Sequence, residues 1–228
     1  MRSLFLWMLA ALFWLGGCGT MNSARPLAQG EHAFGLTFGG PLLKFAGAAI
    51  PLPNAVVEGR SGLPPLANRP LDLNYGLNVT AATFGVLQLH AGAAYMLMPQ
   101  QGSVPALTIS DRLYFATNGF DRRKEDHGVW ALEQVELTTS WKLHQQLVYG
   151  GVANYLDFAS PRLLLSPFVG TQLDFAKPGG FGLQLEGRYF GANALQETNT
   201  LKWVSFGRGA FGPFIGVSYT LPARGDEP

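Results

Sequence analysis

The sequence has a single cysteine, Cys18, among its 228 residues. One thiol cannot form a disulfide within the chain, so an internal disulfide framework is excluded. Charged residues make up only 14% of the sequence, whereas soluble domains average about 25%. The net charge is +1, which excludes the basic footprint typical of nucleic-acid binding. A chain with so little charge is poorly suited to a surface that is exposed to water on all sides.

The sequence also lacks helical periodicity of any length, and its four histidines have no metal-ligand spacing. We therefore expect no metal site and no cofactor. The apolar run at residues 4–15 has twelve residues, fewer than the ~20 that a membrane-spanning helix needs. It follows Arg2, and a basic start before a short apolar run indicates a secretory signal that does not belong to the fold.

The apolar run ends in LGGCGT, where Leu15, Gly16, Gly17 and Cys18 resemble the lipobox of bacterial lipoproteins. The resemblance implies cleavage before Cys18 and lipidation of that residue; a plain secretory signal cut nearby is the alternative. More than one acyl chain would be attached, which is enough for stable anchoring. In the resembled family an Asp directly after the cysteine retains the lipoprotein at the inner membrane. Gly19 occupies that place here and implies transfer to the outer membrane.

After the signal, the chain alternates between apolar and polar side chains with a period of two, which predicts β-strands. The stretch LDLNYGLNVTA places Leu71, Leu73 and Tyr75 on one face and Asp72 and Asn74 on the other. Clusters of Pro, Gly, Asn and Gln separate such runs. We predict ten strands, with eight or twelve as the alternatives, near residues 32–48, 54–63, 71–84, 86–98, 104–117, 129–143, 146–158, 164–176, 181–192 and 210–221.

Alternation alone leaves open whether the apolar face meets a protein core or lipid. The polar face of these strands is too sparse and too uncharged to coat a water-exposed barrel. We therefore predict an all-β fold: a single closed antiparallel up-and-down transmembrane β-barrel with its apolar side chains toward lipid. The long polar connections 118–128 and 191–209 follow the fifth and ninth strands, as expected if odd-numbered strands end at the cell surface. The connection after the third strand is predicted to be very short.

The segment FIGVSYTL near the carboxyl end resembles the terminal-strand signal of bacterial outer-membrane barrels, with Gly216, Tyr219 and Leu221 at matching places. It departs from that signal at Phe214, where a polar residue is usual, and the chain continues through PARGDEP. The resemblance implies insertion by the barrel-assembly machinery. The lipoprotein-sorting machinery and outer-membrane lipid are the other expected partners, and we expect no nucleic acid.

These signals divide the chain into four parts. We expect a lipoprotein signal peptide at residues 1–17, a lipidated N-terminus and tether at 18–31, the barrel at 32–222 and a periplasmic tail at 223–228. The protein is then expected in the bacterial outer membrane, lipid-anchored, with both barrel termini in the periplasm.

The predicted lumen contains a nearly balanced set of charges. A barrel of about eight strands is just filled by its side chains, and open channels appear at roughly 16 to 18 strands. We therefore expect a mostly closed lumen, with a narrow conductance path for small solutes as the alternative. The predicted interior polar network consists of Glu58, Arg60, Asp72, His90, Arg112, Glu136, Lys142, Asp174, Glu186 and Arg188.

A non-enzymatic barrel lipoprotein, structural or narrow-pore, is the function that this pattern favours. One alternative is a lipid-modifying barrel enzyme using His90, for which Ser110, Ser140, Glu136 or Asp174 are the candidate partners. Another is a periplasmic lipocalin-like lipoprotein that holds an apolar ligand inside a water-exposed barrel. The Gly-x-Trp motif of that family is expected at the first strand and is absent there; Gly128, Val129 and Trp130 have this pattern but lie far from the first strand.

Asp111 conflicts with the lipid-facing prediction, since it lies on the apolar face between Ile109 and Leu113. A charge at the middle of the membrane is unfavourable. We therefore expect a bulge, a register shift or a position near the membrane interface at this residue.

Overall fold

The computed structural model describes residues 24–45, 47–118, 128–158, 162–175, 180–194 and 202–223. The predicted signal peptide and the lipidation of Cys18 lie outside the described residues. The elements are β1 (His32–Gly39), β2 (Leu42–Phe45), β3 (Ala48–Pro51), β4 (Asn54–Leu66), β5 (Arg69–Asn78), α1 (Val79–Thr83), β6 (Leu87–Met98), β7 (Ala106–Thr117), β8 (Val129–Leu143), β9 (Gln146–Asp157), β10 (Leu163–Asp174), β11 (Gly180–Phe190), β12 (Lys202–Trp203) and β13 (Ala210–Leu221).

Ten strands of the described chain close into one antiparallel barrel. The order around the wall is β1, β13, β11, β10, β9, β8, β7, β6, β5 and β4, and β4 pairs with β1 to close it. The wall strands follow chain order around the barrel, with β2 and β3 between β1 and β4 and with β12 between β11 and β13, so the topology is up-and-down. The predicted closed barrel of ten strands is confirmed. Within the described ranges, no helix is long and apolar enough to cross a membrane.

The two ends of the barrel differ in the length of their connections. At the end that we call the short-turn end, Ala67-Asn68 and His144-Gln145 form two-residue turns. Ala67 and Asn68 both have positive φ, 50° and 60°, as the type I′ turn of a tight hairpin requires. His32 pairs with Leu221 at this end, so both barrel termini lie there. The opposite, long-loop end carries the connections 40–53, 79–86, 118–128, 158–162 and 191–209.

The predicted third strand, 71–84, extends too far. β5 ends at Asn78 because this residue caps α1: its side-chain oxygen accepts a hydrogen bond from the Ala81 amide at 3.0 Å. The connection to β6 is therefore residues 79–86, and the prediction of a very short connection is wrong.

The predicted first strand, 32–48, is wrong in a different way. Gly40 has a φ of 144° and Pro41 follows it, so the ladder of β1 stops at Gly39. β2 and β3 then leave the wall and form a separate three-stranded sheet with β12 at the long-loop end. Val204 joins this sheet to the barrel, since its amide donates to Leu42 and its carbonyl accepts from Phe211.

The wall has apolar side chains outside and polar side chains inside. On β5, Leu73 and Tyr75 are 43% and 46% exposed, whereas Asp72 and Asn74 are buried. The same alternation places Leu185 outside on β11. Other exposed apolar side chains of the wall are Phe34, Leu36, Val57, Leu89, Ile109, Leu113, Val135, Leu137, Val152, Val169, Ile215 and Val217. The alternation predicted from the sequence is therefore observed.

Aromatic side chains concentrate at both ends of the outer wall. Those near the short-turn end are Phe34, Tyr95, Trp141, Phe175, Phe181 and Tyr219. Those near the long-loop end are Phe38, Phe84, Phe115, Phe158, Tyr189 and Phe206. Two such belts, separated by an aliphatic band, are the usual exterior of a barrel that spans an outer membrane.

Asp111 is exposed on the outer wall, and its position differs from the expectation. The pairing of β7 with β8 is continuous past it, with Val135 as its cross-strand partner. The irregularity between β6 and β7 lies at Met96 and Met98, away from Asp111. The expected bulge or register shift is therefore not present, and Asp111 stands in the middle of β7. Glu133 is a second carboxylate on this face.

Candidate functional site in the barrel lumen

The inner wall carries the predicted polar network, at different depths. Asp72, His90, Arg112, Glu136, Glu186 and Arg188 are buried inside the barrel, and Glu58 and Arg60 are half-buried on the inner face of β4. Lys142 and Asp174 lie at the short-turn mouth, where their charged atoms are 3.8 Å apart. This last pair is partly exposed, and such surface pairs contribute little to stability.

Arg188 is fully buried at the centre of the charged network. Its guanidinium lies 3.0 Å from a carboxylate oxygen of Glu186 and 3.5 Å from one of Glu136, and it donates to the Tyr155 hydroxyl. The guanidinium carbon also lies 5.3 Å from the centre of the Phe168 ring. A buried charge is tolerated when it is paired and hydrogen-bonded in this way.

A second group of hydrogen bonds surrounds Arg112 on β7. Its Nε donates to Asn74 Oδ1 at 3.0 Å, and its NH1 lies 3.4 Å from the Tyr114 hydroxyl. That hydroxyl donates to Gln134 at 2.6 Å, and the Gln134 amide donates to Glu136. Through Glu136 the group joins the network of Arg188.

The combined network crosses the lumen. Its hydrogen bonds connect β5 with β7, β7 with β8, and β11 with β8 and β9. Gln134, Glu136, Arg112 and Arg188 have almost no exposed surface. The lumen at this level is therefore filled by paired side chains, as expected for a barrel only slightly larger than the ~8-stranded size that is just filled.

Glycines of the inner wall leave space for large side chains on neighbouring strands. A Cβ at Gly76 would overlap the His90 ring, and one at Gly170 would overlap the Tyr149 hydroxyl. A Cβ at Gly151 would overlap the Leu137 carbonyl and would lie 2.8 Å from the Phe168 ring. The inner wall thus alternates small and large residues, and the glycines leave room for side chains of neighbouring strands.

A segment that the sequence did not predict to be inside the barrel also fills the lumen. Residues 24–28, which we call the lumen segment, enter at the short-turn end. The Ala24 side chain is 1% exposed and packs among lumen residues. Those residues are Leu147, Tyr149, Ala153, Tyr155 and Phe168. The predicted tether, 18–31, is therefore held inside the barrel over part of its described length.

Polar side chains of the inner wall bind the lumen segment. The Leu27 amide donates to Asp72 Oδ2 at 3.0 Å, and Arg60 donates to the Arg25 carbonyl at 2.6 Å. The Arg25 side chain donates through Nε to Ser140 Oγ at 3.0 Å. Asp72 and Arg60 also form an ion pair with each other. Sequence reasoning missed this arrangement because the segment has no periodicity and its partners come from several separate strands.

His90 lacks the neighbours that the enzyme alternative needs. Its ring centre lies 5.4 Å from that of Tyr114, and its buried Nε2 has no hydrogen-bond partner in the described structure. Ser110 donates to Glu136, and Ser140 binds Arg25. The candidate partners of a catalytic histidine are therefore engaged elsewhere. Among the described residues, no group of His, Cys, Asp and Glu has the arrangement of a metal site.

The lipocalin-like alternative requires an apolar interior and a polar exterior. The described barrel has the reverse arrangement, with Glu186 and Arg188 inside and Leu185 outside. This alternative therefore has no support in the structure.

No family model and no curated protein sequence matches the chain. Among solved structures, the chain is similar to the translocator domain of the autotransporter NalP from Neisseria meningitidis, with 10% identity, a TM-score of 0.41, and coverage of 96% of this chain and 95% of that one. It is also similar to Ail, the attachment invasion locus protein of Yersinia pestis, with 10% identity, a TM-score of 0.28, and coverage of 85% and 99%. These values are low, so the fold assignment is based on the strand pairing itself.

Proposed function

We propose that this chain is a non-enzymatic lipoprotein of the bacterial outer membrane, a β-barrel with a closed lumen that displays its long-loop end at the cell surface. The observation that carries the proposal is the reversed polarity of the wall. Leu185 faces outward beside Glu186 and Arg188, which are buried inside. In water this arrangement would expose a continuous apolar surface, whereas in lipid it satisfies both faces.

The dimensions of the outer wall agree with membrane insertion. The two aromatic belts lie near opposite ends of strands such as β7 and β13, which have 12 residues each. A strand of that length, tilted by about 40° and rising ~3.3 Å per residue, spans about 30 Å along the barrel axis. An apolar band of ~25 Å fits within this span.

The proposal includes lipidation of Cys18 and a periplasmic short-turn end. It is supported by the lipobox-like residues before Cys18 and by the pairing of His32 with Leu221, which brings both barrel termini to one end. The long-loop end, with the sheet of β2, β3 and β12, would then face the cell exterior. A structural role is favoured over a narrow pore because the network of Arg112 and Arg188 crosses the lumen.

Fractionation tests the proposed location. We expect the protein to stay with outer membranes after carbonate extraction and to migrate faster unboiled than boiled on a gel. Metabolic labelling with palmitate should be lost in Cys18→Ser, and the boiled-to-unboiled shift should be kept. Extraction by carbonate, or a gel mobility that does not depend on boiling, would contradict the proposal.

Conductance tests the closed lumen. The purified protein in a planar lipid bilayer should show no steady single-channel current, because paired side chains fill the cross-section of the barrel. A steady current would favour the narrow-pore role.

A further inference from the structure

We propose that the short-turn half of the lumen is a peptide-binding site, and that the lumen segment occupies it as a removable plug. This inference goes beyond the proposed function, because it depends on contacts inside the barrel and not on the membrane around it. The ligand is a peptide without regular secondary structure that has a small residue, an arginine and a proline in succession, as in Ala24, Arg25 and Pro26.

The site recognises the backbone of the peptide. Asp72 accepts from the Leu27 amide, Arg60 donates to the Arg25 carbonyl, and the Thr108 hydroxyl lies 3.4 Å from the Ala24 carbonyl. These wall residues come from β5, β4 and β7. Main-chain contacts of this kind supply affinity to a peptide ligand, while contacts with its side chains supply specificity.

Two pockets select the side chains of the peptide. Ala24 packs against Tyr149, Ala153 and Tyr155 and is 1% exposed, so we expect a larger side chain to displace the rings. The Arg25 side chain donates to Ser140 on β8 and also to Gln100. The pattern therefore requires a small residue followed by an arginine.

The wall makes room for the peptide at one further position. A Cβ at Gly62 would overlap the Ala28 carbonyl, and its nearest neighbours are all atoms of the lumen segment. The lumen segment therefore requires a glycine at position 62, and packing between strands does not. Substitution at this residue should displace the segment and leave the wall intact.

The plug is removable because the barrel closes without it. The lumen segment contributes no residue to the strand pairing of the wall, which runs unbroken from β1 through β13 back to β4. Its removal would open a vestibule at the short-turn end. The layer of Arg188 and Glu136 behind the vestibule belongs to the wall itself, so the lumen should remain closed to current.

Accessibility of a buried cysteine tests this inference. Thr138→Cys places a thiol on the inner wall, at a position that is 2% exposed and pairs with Thr108. The full-length chain with this change is purified in lipid and treated with a water-soluble maleimide, and peptide mapping separates the introduced cysteine from Cys18. We expect slow labelling, and roughly tenfold faster labelling when Arg25→Glu or Gly62→Ala displaces the segment.

Protection by an added peptide distinguishes a binding site from a general loosening of the barrel. A synthetic peptide with the sequence of residues 24–31 should restore slow labelling in Arg25→Glu, whose cradle is intact. It should fail in Gly62→Ala, whose cradle is blocked, and a peptide carrying glutamate in place of its arginine should fail in both. Gly187→Ala is the matched control, because a Cβ there meets only the Phe211 ring at 3.3 Å.

Two results would overturn the inference. One is slow labelling in both displacing variants; the other is failure of the peptide to protect Arg25→Glu. Gel mobility without boiling shows whether each barrel is folded, and Arg25→Ala, a milder change, replaces any Arg25→Glu protein that does not fold. Carbonate extraction of the same samples reports separately on the proposed membrane location.

Discussion

Arg188 shows how this barrel holds a fully buried charge. Its guanidinium is paired with Glu186 and Glu136, bonded to Tyr155 and placed over an aromatic ring. Such a group is tolerated only when every buried charge has its partner, because an unpaired buried carboxylate costs more free energy than the intact pair. Replacing one charged residue of the inner wall should therefore destabilise the barrel, whereas replacing it together with its partners should cost less stability.

Arg188→Met is expected to destabilise the barrel by about 3–5 kcal/mol, because it leaves two carboxylates without their cation. Urea unfolding in lipid vesicles, followed by tryptophan fluorescence, measures the change. Adding Glu136→Gln and Glu186→Gln to the same chain should recover much of the loss. Arg208→Met, on an exposed loop, is the control and should be nearly neutral. An equal loss in the single and triple variants would contradict the pairing argument.

On the outer wall, in contrast, removing the charge of Asp111 is expected to stabilise the barrel. Its cross-strand neighbours are Ala93 and Val135, and lipid around it would penalise the carboxylate. Asp111→Val should therefore raise the free energy of unfolding in vesicles by about 1–2 kcal/mol, less than a basic residue would cost at the same depth. Asp111→Asn should give a smaller gain. A destabilised Asp111→Val barrel would indicate that this part of the wall is not in lipid.

At the scale of elements, the turns decide where strands end. The alternation of the sequence continues past Asn78, so periodicity alone predicts a strand to residue 84. The cap formed by Asn78 on the Ala81 amide overrides that pattern. Asn before VTAAT is a helix-start signal that could have been recognised. The end of β1 could likewise have been recognised, since Gly40 and Pro41 lie within the predicted first strand.

The turn between β4 and β5 is strained at its first residue. Ala67 has a φ of 50°, a left-handed conformation that costs a residue with a Cβ roughly 1–2 kcal/mol. Ala67→Gly removes this cost, but glycine loses more backbone entropy on folding, which costs about 0.5–1 kcal/mol. We expect a net gain of about 0.5–1 kcal/mol in unfolding free energy. Ala131→Gly, within β8, should be destabilising in the same assay. A loss in both variants would mean that the turn is not strained.

The barrel could be predicted because several of its strands carry the same alternation of apolar and polar residues. On β11, Leu183 and Leu185 lie on one face and Glu186 and Arg188 on the other. The same alternation on other strands distinguishes the outside of the wall from the inside. The lumen segment could not be predicted from the same signal. Its partners, among them Asp72 and Ser140, are brought together only when the barrel closes.

The same distinction applies to the site. The sequence indicates which charged residues face inward, because that depends on position within one strand. It does not indicate that Arg188 reaches Glu136, since β11 and β8 are separated by two strands in the wall. Nor does it show that His90 lies against Tyr114, because the contact depends on strand register.

The proposed function requires hydrocarbon around the apolar side of the wall and a closed interior on its polar side. Nitroxide labels on cysteines that replace, one at a time, Ile215, Gly216, Val217, Ser218 and Tyr219 test this arrangement, with the chain reconstituted in lipid vesicles and the parent chain as the blank. Collisions with oxygen should dominate at 215, 217 and 219 and should fall at 216 and 218. If a water-soluble relaxing agent reaches the odd positions as readily as the even ones, the wall does not face lipid.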